Sequence, residues 1–102
     1  MASRLSLQDE LEEMLGSDEV YFQPPESVRL RYPAIVYKKN AAKVIHADDI
    51  PYHFRERYKI TVIDRNPDAD WVKKMLDRFK YIYIDAQFTS ENLHHFNFTI
   101  YY

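Results

Sequence analysis

The sequence has no cysteine, which excludes disulfides, thiolate zinc sites and cysteine nucleophiles, and fits a reducing compartment. It has one glycine, Gly16. Phosphate-cradling loops need several glycines so that backbone N–H groups can approach the anion, so neither a P-loop nor a dinucleotide fingerprint is present. No run approaches the roughly 18 apolar residues of a membrane span. Residues 1–16 are acidic and amphipathic, unlike the basic-then-apolar start of a signal peptide, and a cytosolic location without membrane contact is expected.

What remains is ordinary in bulk and unusual in detail. With 102 residues, 46% hydrophobic and 29% charged, the chain suits one globular core. There are nine tyrosines and six phenylalanines, and twelve of these fifteen fall in the last two thirds of the chain. Tyrosine pairs an apolar body with a polar tip and suits positions half in a core and half in an interface. The net charge of −2 conceals a division. Residues 1–26 carry seven acids against Arg4, a net of −6, and the other 76 hold 13 Lys+Arg against nine Asp+Glu, a net of +4. An acidic arm on a basic body can dock on that body or on a neighbouring copy.

The pattern divides the chain into an acidic N-terminal helix and linker, 1–30, and an α+β body, 31–102, forming one domain overall. The helix has Ser6 as its expected N-cap, a stripe of Leu7, Leu11, Met14 and Leu15, and Gly16 at its C′ end. Residues 20–22 suit a short strand that Pro24 and Pro25 stop. Residues 31–38 predict a strand, and Lys38, Lys39, Asn40 and Lys43 a projecting basic hairpin tip that touches a neighbouring protein. Val44 and Ile45 return as a second short strand, and Asp48, Asp49 and Pro51 turn the chain.

The clearest strand is 52–64. Tyr52, Phe54, Tyr58, Ile60 and Val62 share one face, and Arg55, Arg57, Lys59 and Thr61 the other. Asn66 is expected to cap a second helix with Pro67 at its first position, Asp68 and Asp70 in the first turn, and Lys73, Lys74 and Arg78 toward its C-terminal end. Val72, Met75, Leu76 and Phe79 would form its apolar stripe, flanked by Trp71. Strands at 81–88 and 94–102 follow, the second with Phe96, Phe98 and Ile100 on one face. The order α-β-β-β-α-β-β predicts an α+β fold with one mostly antiparallel sheet of four to five strands and two helices.

Reactive chemistry is weakly marked. Four histidines (His46, His53, His94, His95) with Asp48 and Asp49 have metal-ligand chemistry, but adjacent His94 and His95 on a strand point to opposite faces. No carboxylate pair suggests acid–base work, no serine sits in a nucleophile elbow, and Arg65 beside Asp64 reads as a local ion pair fixing the turn. No catalytic residue, cofactor or metal is assigned. The basic face of Arg55, Arg57 and Lys59 beside aromatics keeps one alternative open, a small cellular binding module for nucleic acid.

Three segments, RYPAIVY at 31–37, PYHFRERYKITVIDRNPD at 51–68, and FTSENLHH followed by FNFTIYY at 88–102, together resemble the small neck proteins of tailed bacteriophages, the tail terminator (tail completion, head–tail joining) class. The likeness covers about 70 residues of the body and leaves 1–30 aside. It implies a structural virion protein made in the bacterial cytoplasm, a homo-oligomer, usually a hexameric ring, between the tail tube protein and the head–tail connector or adaptor. DNA passes through the lumen of such a ring without sequence-specific binding, and no catalytic residue is implied. The residues expected at interfaces are Leu7, Leu11, Met14, Leu15, Lys38, Lys39, Lys43, Arg55 and Arg57.

Overall fold

A computed structural model describes residues 4–40 and 56–102. The order is α1 (Arg4–Leu15), β1 (Val20–Phe22), β2 (Ala34–Lys39), β3 (Arg57–Asp64), α2 (Trp71–Arg78), β4 (Ile82–Ser90) and β5 (Leu93–Tyr101). The α+β class and the order α-β-β-β-α-β-β are those the sequence predicts. The first β is the short strand at 20–22. The expected strand at Val44 and Ile45 lies outside the described residues, as do Tyr52, Phe54, the turn at Asp48 and Asp49, and His46 and His53.

The strands form one sheet in the order β1-β2-β3-β5-β4. Three pairings are antiparallel, and β1 runs parallel to β2, so the sheet is mixed. Alternation in β3 and β5 sets the core. Tyr58 lies opposite Ile100, Ile60 opposite Phe98 and Val62 opposite Phe96, all six buried on one face. Ile35 and Tyr37 of β2 and Val20 of β1 extend that face, and both helices cover it. Between β4 and β5 the chain reverses through Glu91 and Asn92, both at positive φ, the geometry of a two-residue primed hairpin turn.

The helices depart from the expected details. The first begins at Arg4, so Ser6 lies inside it and is not its N-cap; Gly16 does end it, at φ +83°, with its N–H on the carbonyl of Glu12. The second begins at Trp71 with Asp70 as N-cap. Asn66 instead builds a turn, its Oδ1 accepting from the N–H of Asp68 at 2.9 Å and its carbonyl from that of Ala69. Pro67, Asp68 and Asp70 therefore precede the helix, and only Arg78 is a basic residue of its last turn. The buried line is Trp71, Met75 and Phe79, with Val72 half-buried, while Leu76 is 44% exposed. The buried line steps by four residues, and Leu76 stands about 100° around the helix from Met75, away from it. Asp64 accepts from Trp71 Nε1 at 2.7 Å and from Asn66 N at 3.0 Å, and Arg65 lies over the Tyr32 ring, so Asp64 fixes this turn through hydrogen bonds in place of the expected ion pair.

Candidate functional site

Opposite the helices the sheet presents a face that no other described helix or strand covers, built by the alternate residues of the same strands. At its centre Thr61 faces Asn97 and donates to its Oδ1 at 2.7 Å, and Lys59 faces Thr99. A register shift between Ile84 and Ala86 inserts Asp85 as an extra residue of β4. Its Oδ2 accepts from Thr99 Oγ1 at 2.6 Å and meets Lys59 Nζ at 3.0 Å. One carboxylate thus joins β4, β5 and β3 across the sheet.

Toward β2 the face turns basic, with Lys38 directly opposite Lys59. Like charges in register repel, and Asp85 relieves the pair from one side. Gln23, Pro24, Val36, Lys38, Lys59 and Thr61 line a shallow depression of about 590 Å³ here. Aromatic side chains rim the other end. Tyr83 meets Tyr101 edge-on at 6.2 Å, and Phe88 stacks on His95 at 4.6 Å with planes 7° apart. His94 turns to Thr89 Oγ1, 3.1 Å from its Nδ1, so the adjacent histidines do occupy opposite faces. The result is a flat surface of hydrogen-bonded polar groups with an aromatic margin, a composition suited to protein contact.

The expected interface residues scatter. Leu7 and Leu11 have no exposed surface and belong to the central core, with Met14 and Leu15 packed half-buried against it. Of the two docking surfaces the sequence left open, its own body and a neighbouring copy, it is the chain's own sheet that covers this stripe. Polar contacts fix it there. Tyr37 donates to Gln8 Oε1 at 2.5 Å, Gln8 Nε2 donates to the carbonyl of Val20 at 3.0 Å, and Arg4 stacks on Phe22 at 4.4 Å. Arg78 bridges Glu10 and Glu13 at 3.4 and 3.1 Å, and Tyr102 donates to Glu10. Burial, then the hydrogen bond to Glu10, push the Tyr102 phenol up to about 12. Burial likewise raises Tyr37, against the lowering effect of Arg4.

Lys38 and Lys39 are exposed at the end of β2. Arg57 is half-buried and its Nε donates to the carbonyl of Asn40 at 3.2 Å, closing the hairpin. Lys43 and Arg55 lie outside the described residues. Sequence reading missed Asp85, Thr99 and Asn97, and the exposed row on β4. The one available signal was Asp85, the only charged residue in a strand of nine.

No family model, curated protein or solved structure matches the chain.

Proposed function

We propose that the chain is a structural protein of the tailed-phage neck, a subunit of a ring that terminates the tail tube and joins it to the head connector, with DNA passing through its lumen. One observation carries the reading. In their described residues, the segments that bear the resemblance fall on β2, on β3 with the turn that follows it, and on the β4–β5 hairpin, adjoining parts of one sheet. The face of that sheet opposite the helices, mixed in charge and rimmed by tyrosine, phenylalanine and histidine, supports assembly with other proteins. The nucleic-acid alternative has less behind it, because Lys59 is held by Asp85 and Arg57 by the Asn40 carbonyl.

Electron microscopy of particles carrying a labelled copy of the chain tests the reading. Label at the junction of head and tail, in a ring, is the expected result. Particles without the label at that junction, together with a purified monomer whose DNA binding falls steeply with salt, would favour the binding module instead.

A further inference from the structure

The two edges of the sheet are unlike. The β1 edge has three residues, its Val20 carbonyl accepts from Gln8, and Pro24 and Pro25 follow it. Such an edge is blunted against further pairing. The β4 edge has nine residues and, among the described residues, pairs with β5 alone, so about half of its N–H and C=O groups point away from β5. No lysine or proline guards it, and its single charge, Asp85, is turned back onto Lys59 and Thr99. Tyr83, Ile84 and Phe88 are 47%, 45% and 48% exposed, and with Leu76 they make four of the five exposed large hydrophobic residues among the described residues. Apolar exposure is therefore gathered, with Ile84 and Phe88, along the edge whose outer side no described strand pairs.

A row of outward amides and carbonyls is matched by another β-strand. Among the described residues, the only edge of equal length that a second copy offers is β4 itself, and it is uncharged along its outer side, so two of them meet without like-charge repulsion. We propose that β4 is a self-pairing edge, at which two copies join antiparallel about a two-fold axis into one continuous sheet. This contact goes beyond the ring reading. A two-fold contact is isologous, whereas ring closure needs head-to-tail surfaces, so each stands or falls separately.

The absence of cysteine allows a clean test. Single cysteines placed at Ile82, Ala86, Gln87 or Ser90 are oxidised in the full chain and the products sized. Antiparallel pairing about a central axis brings equal positions within disulfide reach only near the middle, so Ala86→Cys or Gln87→Cys dimerises and the end positions do not. Sedimentation of the unmodified chain should give twice the monomer mass as concentration rises. Ile84→Lys with Phe88→Lys should return it to the monomer, and Leu5→Lys, at an exposed residue of α1, should not. Equal cross-linking at all four positions, or a mass unchanged by Ile84→Lys with Phe88→Lys, overturns the proposal. A two-fold dimer that persists with those two lysines overturns the edge contact, and a ring that forms in the same protein leaves the ring reading intact.

Discussion

Asp64 and Trp71 are both buried, and the indole N–H is one of two donors that satisfy the carboxylate. Replacing Trp71 by Phe keeps an aromatic in the core but leaves one carboxylate oxygen without that donor, a loss of about 1–3 kcal/mol in denaturant titration. A loss under about 0.5 kcal/mol would mean that water takes the donor's place. Tyr102 makes a different prediction, in pH. Its folded-state value of about 12 lies above the ordinary 10, so deprotonation is disfavoured in the fold. Its stabilising effect is complete below pH about 10 and is lost as pH rises from there through about 12. The wild type should lose stability over that window, and Tyr102→Phe should lose less; Tyr37 and Tyr58, also raised by burial, keep the remainder. Equal losses in the two proteins would show that the Glu10–Tyr102 contact has no weight.

At the scale of elements, register decides which substitutions matter. Ile60 and Phe98 lie opposite each other and are fully buried, so Ile60→Ala or Phe98→Ala should cost about 2–5 kcal/mol. Leu76→Ala, on the exposed side of α2, should stay within about 0.5 kcal/mol, and a larger loss would place Leu76 in the core after all. The strands of this core were legible because β3 and β5 are wet on one side, and half-burial writes a period of two into the residues. The start of α2 was placed four residues early, at Asn66 in place of Asp70, for a local reason. Asn66-Pro67-Asp68 has the composition of a helix start, yet Asn66 satisfies the N–H of Asp68 within a turn, and the helix waits until Trp71 can reach Asp64. The parallel pairing of β1 with β2 left no trace in the sequence, since periodicity marks which side chains face inward and not which way a neighbour runs. Asp85 stood out as the one charge of its strand, but its direction was not legible, because the bulge that aims it belongs to the backbone and not to a residue pattern.

For the whole molecule, the acidic segment is part of the body. Charge division left the dock of this segment open between its own body and a neighbouring copy, and α1 lies on its own chain, where Arg78 bridges Glu10 and Glu13. The surface ion pairs are worth about 1 kcal/mol or less each, and salt screens them, so they orient the helix more than they retain it. Retention falls to Leu7 and Leu11, each buried completely among Ile35, Tyr37, Ile60 and their neighbours. At about 2–5 kcal/mol for each buried leucine, their removal approaches the 5–15 kcal/mol that a whole domain has. Deleting residues 1–16 should therefore abolish cooperative thermal unfolding, with the near-ultraviolet circular dichroism of the packed tyrosines lost at room temperature. High salt should lower the melting temperature of the full chain by only a few degrees. A truncated chain that melts cooperatively within about 5 °C of the full one would mean that α1 rests on a body already complete, and would restore it as an arm free to reach another copy.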